Sequence, residues 1–99
     1  MTFLRNLRYL LLHGKPIPRD VRGYLRDQHE VDLNGRTYCV YTEQQSGEVG
    51  YVVERASVRD VTGGACKDGG SAVTEDVERA VLAKLKTHFR RLNIRYEIR

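Results

Sequence analysis

Five cationic side chains lie in the segment from residue 75 to 92, which has the apolar spacing of an amphipathic helix. Successive helical residues turn by about 100° around the axis, so apolar groups three or four positions apart share one face. The apolar positions are Val77, Val81, Leu82, Leu85, Phe89 and Leu92. The cations on the opposite face are Arg79, Lys86 and Arg90, with Lys84 and Arg91 at the flank. This surface suits the phosphates of nucleic acid or an acidic protein surface, although any solvated helix face also carries charges.

A second basic group, Arg19, Arg22 and Arg26, recurs at spacings of three and four. We predict a short helix over residues 18–28, which would bring these three side chains to one face. Together with a helix predicted over residues 2–13, this segment could form a helix–turn–helix reader of DNA. However, the pair would lack the third helix that usually completes such a core. A supporting or solvated role for these arginines is therefore expected.

Histidine and cysteine side chains show no spacing typical of a metal site or a catalytic group. Cys39 lies in a predicted strand and Cys66 in a glycine-rich loop, and neither has a CxxC partner. We predict two reduced thiols. The histidines are His13, His29 and His88, and no two of them have metal-ligand spacing. No enzyme activity, cofactor or metal is therefore expected.

A glycine-rich segment, residues 62–71, precedes the last predicted helix. It could place an anion at the helix N-terminus, but it lacks the Gly-Lys-Ser/Thr ending of a phosphate-binding loop. Glu75 and Asp76 would also repel a phosphate there. A flexible linker is the preferred interpretation, because glycine is common in such connections.

Charge is distributed unevenly along the chain, whose formal net charge is +4. Residues 1–26 carry six basic groups and one acid, a net of +5; residues 27–78 carry four basic groups and eleven acids, a net of −7. Residues 79–99 carry seven basic groups and one acid, a net of +6. This asymmetry indicates either that the ends and the middle serve different surfaces or that they attract each other.

Strand signals fill the middle of the chain. Asn34-Gly35 between apolar runs predicts a β-hairpin with a type I′ turn, and residues 49–58 predict a third strand. Alternation over residues 94–98 predicts a last strand that joins the sheet beside this meander. We therefore predict a single α+β domain over residues 1–99, in the order ααβββαβ. Its sheet would be four-stranded and mostly antiparallel, with helices packed on one face.

Apolar runs are short throughout. The longest, residues 9–12, has four residues, whereas a membrane-spanning helix needs about 20. We expect no membrane association and a cytoplasmic location.

These observations favour a small non-enzymatic protein that uses its basic helical surface to bind nucleic acid. The alternative is a modulator that binds protein, such as a phage-type inhibitor of a host or defence complex, because separate acidic and basic faces suit electrostatic recognition of a protein. The short, one-domain chain also looks like the small accessory proteins of phages. An enzyme is a distant third possibility, and no small-molecule substrate is evident.

Overall fold

A six-stranded sheet and a long α-helix dominate the part of the chain that the computed structural model describes, which is residue 11 and residues 19–45 and 50–99. The strands are β1 Val21–Tyr24, β2 Gln28–Leu33, β3 Arg36–Gln44, β4 Tyr51–Val53, β5 Arg59–Asp60 and β6 Tyr96–Ile98. The helix, α1, is Glu75–Arg91, and 3-10 turns occupy Arg55–Ser57 and Cys66–Asp68. The sheet order is β1-β2-β3-β4-β6, with β5 also paired to β3. All pairings are antiparallel except that of β4 with β6.

The predicted α+β class, the mostly antiparallel sheet and the long helix are confirmed, but the sheet has six strands and not four. Of the helix predicted over residues 2–13, only Leu11 is described, and it is helical. The rest of that prediction lies outside the described residues. The prediction that several helices share one face of the sheet therefore stays a prediction.

The hairpin at Asn34-Gly35 forms as predicted. The two turn residues have φ angles of 53° and 77°, which is the positive-φ pair that a type I′ turn requires. Leu33 pairs with Arg36 across the turn, and the antiparallel ladder continues from there to the pair of Gln28 with Tyr41. This tight turn sets the register of β2 against β3.

The helix predicted over residues 18–28 is wrong, because this segment forms β1, a turn and the start of β2. Val21 pairs with Val31 and Tyr24 pairs with Gln28. Gly23 disfavours a helix, whereas the β-branched Val21 suits a strand and is buried in the core. Pairing with β2 therefore outweighs the weak helical spacing.

The strand predicted over residues 49–58 is interrupted, which is the second reason for the larger strand count. The 3-10 turn Arg55–Ser57 separates β4 from β5, and both strands pair with the same edge of β3. At this break the Ser57 side chain takes the place of a strand partner. Its Oγ accepts a hydrogen bond from the Tyr41 amide at 2.8 Å and donates one to the Glu54 carbonyl at 2.6 Å. A backbone amide of β3 thus stays satisfied without a strand partner.

The main core combines the apolar stripe of α1 with side chains that recur at every second position of the central strands. Its buried members are Val21, Val31, Tyr38, Val40, Val53, Val58, Val81, Leu82, Leu85 and Phe89. A rim of half-buried side chains, including Tyr51 and Tyr96, packs against them. The side chain of Tyr51 stacks on Phe89 with ring centroids 5.1 Å apart, which helps to orient α1 on the sheet.

A second, smaller cluster contains a disulfide bond between Cys39 and Cys66. The two Cα atoms are 5.3 Å apart, and Val61 and Tyr24 pack around the sulfur atoms. The prediction of two reduced thiols is therefore wrong. The residues are 27 positions apart in sequence, and only the folding of the glycine-rich segment back onto β3 brings them together.

Leu25, in the turn between β1 and β2, has a positive φ angle of 59°, and 79% of its surface is exposed. A leucine in this region places its Cβ against the following carbonyl, at a cost of roughly 1–2 kcal/mol. We expect Leu25→Gly to raise the free energy of unfolding by about 1 kcal/mol, because glycine adopts this conformation without strain. Urea denaturation measures the change. Gly23→Ala, in the adjoining strand, serves as the control, and a lower stability of Leu25→Gly would contradict the argument.

His29 is buried beneath α1, where its Nδ1 lies 2.6 Å from the Thr42 hydroxyl and its ring packs edge-on against Phe89. Burial, followed by the charge of the neighbouring His88, lowers the pKa of His29 from 6.5 to about 4. The neutral ring is therefore favoured in the folded state, whereas the unfolded chain takes up the proton at higher pH.

The contribution of neutral His29 to the free energy of unfolding should be complete above pH 6.5. We expect this contribution, on the order of 3 kcal/mol, to be lost as the pH drops from 6.5 to 4. Urea denaturation at a series of pH values measures this slope. His29→Gln keeps a polar partner for Thr42 and should flatten the slope between pH 6.5 and 4. An unchanged slope in that variant would show that another group is responsible.

Candidate cationic surface of the long helix

Helix α1 carries acidic residues at its start and basic residues at its end, as the helix dipole favours. Thr74 caps the first turn by accepting a hydrogen bond from the Val77 amide at 3.3 Å. The helix ends where Asn93 adopts a φ angle of 57° and the Ile94 amide donates to the Phe89 carbonyl at 2.8 Å. This start and stop agree with the predicted helix to within one residue. The side chains between them divide into a buried stripe and an outward face.

The outward face contains Arg79, Lys86 and Arg90, as predicted. Arg79 forms an ion pair with Asp76 one turn earlier, at 2.6 Å, and 68% of its side chain is exposed. Lys86 is half-buried, and Arg90 and Arg91 are exposed. Among the described residues, no carboxylate forms an ion pair with these last three cations. The outward positive charge is therefore concentrated in the second half of α1.

Lys84 belongs to the flank of the helix that faces β1, not to the outward surface. Its ammonium group binds the carboxylate of Asp20 at 2.9 Å and also donates to the Asp32 carbonyl oxygen. The hydrogen bond from Lys84 is the largest influence that lowers the pKa of Asp20, and the charge of Arg91 lowers it further. Lys84 thus ties the helix to the edge of the sheet, which leaves it poorly placed to meet a ligand.

The three N-terminal arginines do not share a helical face, so that prediction is wrong along with the helix–turn–helix that depended on it. Arg22, on β1, forms a two-point ion pair with Asp32, at 2.8 and 3.2 Å, and contacts Glu30 at 3.2 Å. Arg19 precedes β1 and Arg26 lies in the turn after it, and both are exposed. The three arginines therefore do not form the single helical face on which the predicted reader depended.

Of the ion pairs between distant segments of the described residues, only those of Arg22 join a basic end of the chain to its acidic middle. Arg22 shares its single charge between Glu30 and Asp32, and Lys84 pairs with Asp20, which belongs to the other basic end of the chain. Arg36 binds Asp60 at 2.6 Å. The pKa of Asp60 falls to about 2, first through the Thr62 hydroxyl and then through Arg36. Sequence reasoning allowed for such attraction but did not name these pairs, because they depend on strand register.

A shallow cleft of about 240 Å³ opens between β1 and the second half of α1. Its lining consists of Asp20, Val21, Ala83, Lys84, Thr87, His88 and Arg91. The carboxylate of Asp20 occupies the same cleft as the cations of Lys84 and Arg91, so an anionic ligand would meet a partly neutralised wall. The cleft therefore adds little to the outward cationic surface.

The groups considered for catalysis do not converge in the described structure. The Cys39 sulfur is bonded to Cys66, whereas His29 and His88 are buried in the main core with ring centroids 6.4 Å apart. Within residues 19–45 and 50–99, no three His, Cys, Asp or Glu side chains are arranged to hold a metal ion. His13 lies outside the described residues.

Comparison with protein families, with curated proteins and with solved structures finds no match for this chain. In the described part of the chain, no helix has the length and apolar character needed to cross a membrane.

Lys84 and Lys86 provide a matched test of which cations are structural. We expect Lys84→Ala to lower the free energy of unfolding by about 1 kcal/mol, because it removes a partly buried ion pair and a hydrogen bond. Lys86→Ala should change it by less than about 0.5 kcal/mol, as is usual for a surface substitution. Chemical denaturation of both variants measures the difference. Equal losses would mean that the contacts of Lys84 with Asp20 and Asp32 contribute nothing to stability.

Proposed function

We propose that this protein is a small non-enzymatic binding protein that contacts nucleic acid through the second half of α1. The observation that carries the proposal is that Lys86 and Arg90 lie on the outward face of one helical segment without a carboxylate partner among the described residues, with Arg91 at the flank that borders the Asp20 cleft. Lys86 and Arg90 lie four residues apart, about 6 Å along the axis, on the same face. Cations so placed can each replace a counterion at a phosphate.

The charge on the face of the sheet that points away from α1 supports this choice of surface, because Tyr41 follows Val40, which is buried beneath α1. The negative charge of Glu43, with smaller effects from Asp27 and Glu54, raises the pKa of Tyr41 on β3. These carboxylates create a negative field that would repel phosphates. A nucleic acid should therefore approach the helix, not this part of the sheet.

The positions of Arg90 and Arg91 also have a structural explanation, because cations near a helix C-terminus stabilise the helix by roughly 0.3–1 kcal/mol. A binding experiment must therefore separate lost charge from lost stability. Arg79 offers the matched control, since it lies on the same face but its charge is paired with Asp76.

We expect the protein to bind duplex DNA or RNA with an affinity that falls steeply as salt increases. On duplex DNA the log–log salt slope should lose about 0.9 for each phosphate contact removed. The triple variant Lys86→Gln, Arg90→Gln, Arg91→Gln should lose up to three such contacts, whereas Arg79→Gln should lose little. Fluorescence anisotropy at several salt concentrations measures the slopes, and circular dichroism verifies that both variants are folded. No binding at low salt, or equal slopes in folded variants, would contradict the proposal.

A second candidate function, modulation of a protein complex, is favoured by Leu25. This exposed leucine lies at the end of the sheet where Asp27 precedes β2, and the Asp27 carbonyl accepts a hydrogen bond from Thr42. An exposed apolar side chain two residues from an acidic residue suits a protein surface better than a phosphate backbone.

The two candidate functions predict different results in a pull-down from nuclease-treated lysate. A stoichiometric protein partner that is retained by the triple α1 variant but lost on Leu25→Asp would favour the modulator. If neither the triple α1 variant nor the unchanged protein retained a protein partner, nucleic-acid binding would be the better explanation. The proposed cytoplasmic location fits both functions.

A further inference from the structure

The disulfide bond fastens the middle of the glycine-rich segment, residues 62–71, to the face of the sheet opposite α1. We propose that the Cys39–Cys66 bond is a redox-sensitive clasp, whose reduction by a dithiol releases this loop and uncovers the sheet around Cys39 while α1 stays folded. The inference is independent of the proposed nucleic-acid binding, which concerns the outward face of α1.

The ends of the loop are attached to the sheet by backbone hydrogen bonds. The Val61 amide donates to the Thr37 carbonyl at 2.8 Å, and Asp60 and Ser71 exchange two bonds at 2.8 and 2.9 Å. The Thr62 hydroxyl also accepts a bond from the Thr37 amide at 3.1 Å. These contacts do not depend on the disulfide, so the loop would remain anchored at both ends after reduction.

The middle of the loop is attached through Cys66 alone among the polar and covalent contacts of the described residues. Its other hydrogen bonds are internal: the Ala65 amide donates to Asp68 at 2.7 Å, and the Gly64 amide donates to Val61 at 2.8 Å. The Cys66 sulfur is bonded to Cys39 and lies 3.9 Å from the His29 carbonyl. Breaking the disulfide therefore removes the one strong connection between residues 63–70 and the sheet.

The loop covers a small apolar area that is separate from the main core. Cys39 is fully buried, and Val61 and Cys66 are 4% and 3% exposed, with the ring of Tyr24 packed against them. Of these side chains only that of Cys66 belongs to the loop, because Val61 precedes the loop and is held to β3 by its own backbone hydrogen bond. Such a thin cover is held closed more by the covalent bond than by apolar burial.

Arg59 makes the bond easier to reduce. Its Nη2 lies 3.6 Å from the Cys39 sulfur, and its Nε is buried without a hydrogen-bond partner in the described structure. A nearby guanidinium stabilises a thiolate relative to a thiol, and a thiol of lower pKa is the better leaving group. Cys39 is thus prepared to leave as a thiolate when the Cys66 sulfur is attacked.

A dithiol can reduce the Cys39–Cys66 bond by two steps of thiol–disulfide exchange. Its thiolate attacks the Cys66 sulfur, forming a mixed disulfide and releasing Cys39 as a thiolate beside Arg59. The second thiol of the reductant then attacks the mixed disulfide and releases Cys66. The reductant becomes a cyclic disulfide, and the protein gains two electrons and, after protonation, two thiols. At the proposed cytoplasmic location, a disulfide is more often redox-sensing than structural.

Hydrogen exchange with and without dithiothreitol tests the clasp. Amides of residues 63–70 should exchange roughly tenfold faster or more in the reduced protein, as for a locally opened segment, while those of α1 stay unchanged. The Cys66→Ser variant should show the same pattern without reductant. Unchanged exchange of the loop would overturn the proposal. Loss of protection in α1 would also overturn it, because the bond would then be a general structural cross-link.

The role of Arg59 is tested by the rate of reduction. Arg59→Gln should slow reduction by dithiothreitol by roughly three- to tenfold, since the leaving thiolate loses its cation. Arg55→Gln removes an exposed arginine from the neighbouring 3-10 turn and should leave the rate unchanged. Gel-shift labelling of free thiols measures the rates. Equal rates for Arg59→Gln and the unchanged protein would refute the activation by Arg59.

Discussion

β3 is the strand on which the rest of this structure depends, because both of its edges and both of its faces are used. One edge pairs with β2 along six residues, and the other is shared by β5 and β4. Val40 is fully buried in the core beneath α1, whereas Cys39, its neighbour in sequence, is fully buried on the other face against the loop. The alternation of a single strand therefore positions the helix on one side and the disulfide on the other.

Electrostatic pairing follows from the same arrangement of strands. The register of β1 against β2 places Arg22 beside Glu30 and Asp32, and the contact of β1 with α1 gives Lys84 the carboxylate of Asp20. These ion pairs involve Arg22 and Lys84, two of the cations that the sequence offers as binding residues. Fewer cations therefore remain outward and unpaired on α1 than the sequence indicates. The proposed nucleic-acid surface consists of these remaining cations.

The two proposed activities use opposite sides of the sheet and need not interfere. The cations of α1 project from the helix, whose inner side packs on Val31, Val40 and Val53. The clasp acts on the face that carries Cys39 and leaves this main core intact. Its physical effect would be to change which part of the sheet is exposed, with little change in the charge of α1. A partner that recognises the face opposite α1 would then respond to the redox state.

The sequence by itself determined the elements whose signals are local. Asn34-Gly35 specifies its turn through the backbone angles it tolerates, and the stripe from Val77 to Leu92 specifies a helix with a cationic outer face. Only the tertiary structure decided the rest. Residues 21–24 form a strand because β2 offers a ladder that a short glycine-containing helix cannot outweigh. Cys39 and Cys66 are bonded because the loop folds back onto β3, a contact between distant residues that no local pattern encodes.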